Sequence, residues 1–170
     1  MSSFSWLPQL IVRLPEETED AYLDRVYETF VADFVNYRPS FQGQPLQLRL
    51  YVNGVIAPNG REGTFWHLMS EGEDEQTRTP DHDRCARLGW IRAMLDHFES
   101  NGPDVRVWRQ LRSGRTNYGV ALPTFEYVVF LGERGSGARV YTLPLTAYYV
   151  AGEGRRMKYR AQWETDRIYP

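Results

Sequence analysis

The sequence predicts an α+β fold, in which N-terminal helices pack on a roughly four-stranded antiparallel meander sheet and a short basic helix ends the chain. Three observations predict it. Two segments in the first hundred residues repeat their apolar side chains at helical spacing. Four short runs rich in β-branched and aromatic residues follow, with turn residues between them. A stretch rich in basic side chains comes near the end.

The composition predicts one domain that covers residues 1–170. At this length, with 42% hydrophobic and 14% aromatic residues, the chain can bury one sizeable core. Its single cysteine, Cys85, excludes an internal disulfide, and no apolar run reaches the roughly 18 residues that a membrane span requires. The apolar opening lacks the basic start and the cleavage site of a signal peptide. We therefore expect a cytoplasmic protein without a membrane partner.

The first helix is predicted over residues 17–37, just after Pro15, which suits a position ahead of a helix. A half-buried strand is predicted over residues 46–52, where apolar and polar residues alternate. A loop rich in glycine and proline follows it. The predicted apolar face of the helix comprises Leu23, Val26, Tyr27, Phe30, Phe34 and Val35.

A second helix is predicted to begin at Thr79 and to end at residues 101–102. Thr79 supplies a capping hydroxyl, and Pro80 is favourable in a first helical turn. The Asn-Gly pair at its end is typical of a helix terminus. Its predicted apolar stripe comprises Cys85, Leu88, Ile91, Leu95 and Phe98.

The second part of the chain is predicted to form the meander and then the terminal helix. A hairpin turn at Ser113, a tight corner at Leu122 and a glycine-rich loop before Arg139 separate the strands. Residues 154–166 are predicted to form the basic helix. The four predicted strands are residues 105–111, 116–122, 125–131 and 139–150.

The charges are distributed unevenly along the chain. Residues 1–101 carry nine basic and sixteen acidic side chains, whereas residues 102–170 carry eleven and six. The basic cluster of Arg155, Arg156, Lys158 and Arg160 favours a polyanionic partner, although such a face is also typical of a solvated helix. Nineteen of the twenty basic residues are arginine, which suits bidentate contacts with phosphate and equally fits a GC-rich genome.

Residues that can carry chemistry concentrate between Gly63 and Trp90. His67 is flanked by aromatic and aliphatic residues, so it fits either a buried imidazole or a catalytic one that titrates near neutral pH. His82 and Cys85 are spaced as two zinc ligands on one helical turn. No second ligand pair appears, and Cys85 also fits the apolar stripe, so we expect neither a metal nor another cofactor.

Polar residues interrupt the last predicted strand. Alternation places Thr146 and Tyr148 on one face together with Val150. Two explanations account for Thr146 and Tyr148 at these positions. Threonine favours strands and tyrosine can pack in a core, or the two side chains form a polar site on the sheet. The opposite face is predicted to carry Leu143, Leu145, Ala147 and Tyr149.

Five motifs follow one another from Gly63 to Glu164: GTFWHLMSEGEDE, RTPDHDRCARLGWIRAMLDHF, VRVW, YVVFLGERG and LTAYYVAGEGRRMKYRAQWE. In this order they resemble a prophage-associated bacterial family related to phage products. That family looks like the phage-type branch of the barnase, EndoU, colicin and RelE nuclease fold, which has helices followed by a four-stranded antiparallel sheet. The resemblance implies a nuclease-like core at 63–164 and an N-terminal helix and strand extension at 1–62. Tyr149 stands where the family tends to have proline, so the local strand pairing is expected to differ.

The resemblance implies metal-independent cleavage of RNA, in which the ribose 2′-hydroxyl attacks its own phosphate. This reaction needs a base, an acid and positive groups around the phosphorane. In this interpretation His67 is the general acid or base, and Arg84 holds the scissile phosphate. Thr146 and Tyr148 position that phosphate or donate a hydrogen bond to it.

Four further residues are predicted to bind the substrate in the same interpretation. Arg87, one helical turn from Arg84, would hold the phosphate with it. Lys158 and Arg160 would support the RNA backbone, and Arg115 is a reserve phosphate ligand.

These residues predict a small endoribonuclease, a toxin of prophage origin whose partners are RNA and an antitoxin. The alternative is a noncatalytic prophage accessory or immunity protein that binds another protein through its aromatic surface. A zinc-dependent enzyme built on His67, His82 and Cys85 is a third hypothesis.

Overall fold

The computed structural model describes residues 4–169, and the chain forms two compact units. The first unit consists of Met1–Pro39 and Leu48–Ala93, and the second consists of Ser40–Gln47 and Met94–Pro170. The helices are α1 (Glu19–Phe30), α2 (Gly63–Met69), α3 (His82–Ala86), α4 (Leu88–Glu99) and α5 (Glu153–Asp166). A π-helical segment, Val31–Asn36, extends α1, and 3-10 segments span Pro58–Gly60 and Gly137–Arg139. The strands are β1 (Ser40–Phe41), β2 (Gln44–Pro45), β3 (Tyr51–Val52), β4 (Val55–Ile56), β5 (Ser70–Glu71), β6 (Thr79–Pro80), β7 (Arg106–Arg112), β8 (Arg115–Ala121), β9 (Tyr127–Arg134) and β10 (Tyr141–Tyr149).

The predicted α+β class and antiparallel meander are confirmed. The four long strands form one sheet in the order β10-β9-β8-β7, and every neighbouring pair is antiparallel. The six short strands form three separate two-stranded pairs. Within residues 4–169, each helix is too short or too polar to cross a membrane.

Helix α1 forms where the apolar periodicity predicts it. The hydroxyl of Thr18 caps its start by accepting a hydrogen bond from the backbone N–H of Ala21. Val35, which the periodicity assigns to the apolar face, is 37% exposed. It lies in the π-helical segment, where the wider turn changes the direction in which each side chain points. The fully buried side chains are Tyr22, Val26, Phe30 and Phe34.

The strand predicted over residues 46–52 is wrong for most of its length, since only Tyr51 and Val52 form a strand. The backbone of this segment bonds to the start of α2 instead: Arg49 N–H donates to the hydroxyl of Thr64 at 2.8 Å, and Gly63 N–H donates to the carbonyl of Leu50 at 2.9 Å. Gln47 N–H donates to the carbonyl of Thr142 in β10 at 2.8 Å, and Tyr51 and Val52 pair with β4. The partners of this segment therefore belong to several elements, and no continuous strand forms.

The second predicted helix begins later than expected and is divided into α3 and α4. Asp81, rather than Thr79, is the cap, because its carboxylate accepts from the backbone N–H groups of Asp83 and Arg84. Thr79 and Pro80 form β6 instead, and Arg87 separates the two helices. The apolar stripe is confirmed at its buried positions, Cys85, Leu88, Ile91 and Leu95.

Helix α5 covers one face of the meander within the second unit. Its Tyr159 and Trp163 pack against a core that includes Trp108, and the Trp108 and Tyr159 ring centroids are 6.0 Å apart. Gly119 lies opposite Trp108, where a Cβ atom would come within 2.1 Å of the indole. This face of the sheet is called the α5 face below.

A bulge in β10 corrects the predicted assignment of its faces. Leu143 pairs with Gly132 and Thr146 with Phe130, so one extra residue, Leu145, lies between the paired positions. Leu143 therefore lies on the same face as Thr146 and Tyr148, and Leu145 packs against the core of the α5 face. Alternation had predicted Leu143, Leu145, Ala147 and Tyr149 on the face opposite Thr146. Only Ala147 and Tyr149 lie on that face.

Candidate functional site

His67 lies in the last turn of α2, with its side chain 30% exposed, and faces the loop between β5 and β6. Its Nδ1 is 3.1 Å from Oε1 of Glu75. Burial lowers the pKa of the imidazole below 6.5, and the charge of Arg78 lowers it further, while Glu75 acts in the opposite direction. His67 is therefore disposed to be a neutral base at neutral pH.

Arg78 organises this region, although no motif of the sequence assigns it a role. Its guanidinium donates to the hydroxyl of Ser70 at 2.9 Å, to the carbonyl of Gly72 at 2.8 Å and to the carbonyl of His67 at 3.3 Å. The side chain is only 6% exposed, and this burial lowers the pKa of Arg78. Arg78 thus fixes the loop that carries Glu75 beside His67.

Arg84 and Arg87, the predicted phosphate ligands, each contact an acid of their own segment. Arg84 Nε is 3.3 Å from Oδ2 of Asp81, and Arg87 Nη1 is 3.0 Å from Oδ1 of Asp83. The Arg87 guanidinium also lies 5.4 Å from the ring centroid of Trp90. A phosphate would therefore have to compete with these carboxylates for both guanidinium groups.

Thr146 and Tyr148 share the α5 face, as alternation predicted. The hydroxyl of Tyr148 forms a hydrogen bond with the hydroxyl of Tyr159, and its ring centroid lies 6.2 Å from that of Phe130. Burial raises the pKa of Tyr159, and its hydrogen bond with Tyr148 acts in the same direction. Both tyrosines are therefore packed between the sheet and α5, with only part of their surface exposed.

The remaining predicted ligands lie at the surface of the second unit. Arg115 follows the two-residue turn at Ser113 and Gly114, which both have positive φ angles, and it pairs with Arg112 across the hairpin. Lys158 is exposed on α5. The Arg160 guanidinium lies 5.7 Å from the ring centroid of Phe125, on the far side of the helix from Arg155.

Two basic residues outside the predicted set join this surface. The charges of Arg155 and Arg112 both lower the pKa of Tyr159, against the larger effect of burial, so both lie near its hydroxyl. With Arg115 and Lys158 they form the hairpin–α5 surface, defined by these four residues. Within residues 4–169, these four side chains form no hydrogen bond or ion pair.

The predicted site residues fall into two sets. His67, Arg84 and Arg87 belong to the first unit. The second unit carries the other five, Arg115, Thr146, Tyr148, Lys158 and Arg160.

The residues of the zinc hypothesis have other partners. His82 Nε2 is 2.9 Å from Oε1 of Glu19, and Cys85 is completely buried beside the carbonyl of Met69. Burial raises the pKa of the Cys85 thiol to about 12, which disfavours the thiolate that zinc requires. Among residues 4–169, no three His, Cys, Asp or Glu side chains are grouped so that they could hold a metal ion.

No family model, curated protein or solved structure matches this chain. The resemblance to prophage-associated proteins and to the nuclease fold therefore stays a prediction.

Proposed function

We propose that this protein binds RNA and cleaves it without a metal ion, as a small endoribonuclease. The observation that carries the proposal is the hairpin–α5 surface, where four basic side chains stand together without an acidic partner among the described residues. Such a surface attracts the phosphate backbone of a nucleic acid. The second unit as a whole has eleven basic and eight acidic side chains, whereas the first has nine and fourteen.

His67 supports the catalytic part of the proposal. Its contact with Glu75 favours the tautomer that carries the proton on Nδ1, which leaves the lone pair of Nε2 as a base. Nε2 would take the proton of a ribose 2′-hydroxyl as that oxygen forms a bond to the adjacent phosphorus. The bond from phosphorus to the 5′-oxygen breaks, and protonation of the leaving oxygen gives a 5′-hydroxyl and a 2′,3′-cyclic phosphate.

The test is cleavage of labelled RNA by the purified chain in the presence of EDTA. We expect products with cyclic phosphate ends, and a rate that falls about 10²–10⁴-fold in His67→Ala, as for the loss of a general base. His82→Ala is the matched histidine control and should retain the rate, whereas Thr146→Ala should reduce it. Cleavage unchanged in His67→Ala would exclude His67 as the base, and cleavage unchanged in Thr146→Ala would exclude a role of Thr146.

The role of a toxin adds a test in the cell. Expression of the wild type should arrest growth, and His67→Ala should relieve the arrest. Relief by an adjacent acidic gene product would identify the antitoxin partner.

A noncatalytic protein-binding module is the second candidate, favoured by exposed apolar side chains on the β3–β4 hairpin and on the residue just before it. Leu50, Tyr51 and Ile56 are 50%, 51% and 57% exposed. Exposed apolar side chains that lie together mark interaction surfaces. A chain that cleaves no RNA, but retains a stoichiometric protein partner after nuclease treatment and loses it in Ile56→Asp, would establish this function instead.

A further inference from the structure

The second unit contains a cavity away from the hairpin–α5 surface. Its volume is about 490 Å³, within the range of roughly 300–1,000 Å³ that is typical of small-molecule sites. It opens to solvent and is lined by the end of α4, the turn between β1 and β2, the start of β7 and the residues after α5. Its walls include Gln42, Phe98, Glu99, Val105, Val107 and Tyr169.

Aromatic rings form one side of this cavity. The centroids of Phe98 and Tyr169 are 4.9 Å apart, with the rings at 73°. Buried Phe41 stacks on Phe98 at 5.3 Å and so holds that ring in place. Tyr169 is held by its hydroxyl, which accepts a hydrogen bond from Nε2 of Gln42 at 3.1 Å. These contacts order the aromatic side of the cavity.

Glu99 is the one charged side chain among the described residues that line the cavity. Its Oε2 accepts a hydrogen bond from the backbone N–H of Gly43 at 2.9 Å, which fixes the carboxylate. Among residues 4–169, Oε1 accepts no hydrogen bond. A fixed carboxylate oxygen beside aromatic rings attracts a cation and repels an anion.

We propose that this cavity binds a small organic cation, an amine that is protonated at neutral pH and carries an aromatic or branched aliphatic body. The ammonium group would contact Glu99 and the ring faces, and the body would contact Phe98, Val105 and Val107. The negative charge of Glu99 disfavours phosphates and carboxylates as ligands. This function is separate from the binding of RNA, which uses cationic side chains on another surface of the unit.

The experiment compares three probes of similar shape by NMR on the full ¹⁵N-labelled chain: 2-phenylethylammonium, 2-phenylethanol and 3-phenylpropionate. We expect saturable shifts of the Gly43 and Gly102 amide signals, strongest for the cation and weakest for the anion. The absence of saturable shifts with 2-phenylethylammonium, or equal affinity for the anion, would overturn the proposal.

Two variants locate the binding. Glu99→Gln keeps an oxygen for the Gly43 N–H and should weaken binding of 2-phenylethylammonium about two- to fivefold, the range for an exposed ion pair. Its affinity for 2-phenylethanol should not change. Glu164→Gln, which removes an exposed carboxylate of α5 in the same unit, is the control. Thermal unfolding of each variant verifies its folding, and equal weakening by both substitutions would contradict a specific role of Glu99.

Discussion

At the scale of single residues, the charged side chains around His67 have opposite effects on the pKa of its imidazole. Arg78 disfavours the imidazolium and Glu75 favours it, while burial disfavours it most. We expect the ring of His67 to titrate below the ordinary histidine pKa of about 6.5. Glu75→Gln should lower the pKa further, because it removes the carboxylate that stabilises the charged ring. NMR titration of the ring protons measures both values.

Glu73→Gln is the matched control for this titration, because Glu73 lies on the same loop and is not among the main causes of the shift. The shift also affects stability, since the unfolded chain binds the proton more tightly than the folded chain. The free energy of unfolding should therefore decrease as the pH falls below about 6.5. The decrease should end once the pH is below the pKa of His67 in the folded chain. His67→Gln should remove this part of the pH dependence, and a pKa that rises in Glu75→Gln would contradict the interpretation.

Gly119 provides a second test at this scale. A Cβ atom there would meet the Trp108 indole at 2.1 Å, so Gly119→Ala must displace a fully buried ring. We expect a loss of about 1–3 kcal/mol in the free energy of unfolding in urea. Gly154→Ala is the control, because that glycine lies in α5 with nothing within 4 Å, and the change should be neutral or stabilising by up to about 1 kcal/mol. Equal stability of the two variants would show that the indole moves without cost.

At the scale of elements, one of the contacts between α5 and β10 is a hydrogen bond between two tyrosine side chains. The hydroxyls of Tyr148 and Tyr159 bond to each other in a largely apolar setting. Either single change to phenylalanine should cost about 1 kcal/mol, because it leaves the other hydroxyl without this partner. The double variant should cost less than the sum, with a coupling free energy of about 1 kcal/mol in a double-mutant cycle. Purely additive losses would show that the two hydroxyls act independently.

The elements also show what periodicity can predict. Apolar spacing located α1 and the stripe on α3 and α4, because these helices bury one face. Runs of β-branched and aromatic residues between turns located all four long strands. Periodicity failed over residues 46–52, where the backbone partners belong to α2, β4 and β10, and at Leu145, where a bulge changes the facing of the strand. Neither a distant hydrogen-bond partner nor an inserted residue leaves a local signal in the sequence.

At the scale of the whole molecule, the sequence predicted the excess of basic charge in the second part of the chain, but not which side chains lie together. Arg112 and Arg155 are more than forty positions apart, and only the packing of α5 on β7 brings both close to Tyr159. Similarly, Glu75 reaches His67 because Arg78 orders the intervening loop. Contacts of this kind depend on tertiary structure, so composition and spacing identified the candidate types of residue without their partners.

The distribution of charge leads to a prediction about binding of RNA. If the hairpin–α5 surface holds the phosphate backbone, the affinity for single-stranded RNA should fall steeply as salt increases, because bound cations are released from the RNA. Arg155→Gln and Lys158→Gln should each weaken binding for all sequences alike and reduce the slope of log K against log salt by about one.

Arg109→Gln is the matched control for this measurement, because it removes one positive charge from β7 on the side opposite the α5 face. Side chains of successive strand residues point to opposite faces, so Arg109 and Trp108 lie on different sides of the sheet. The control should leave the slope almost unchanged, since its charge lies outside the proposed contact. Fluorescence anisotropy at a series of salt concentrations gives the slopes. An equal reduction in all three variants would mean that RNA responds to net charge alone, and the hairpin–α5 surface would no longer be its binding site.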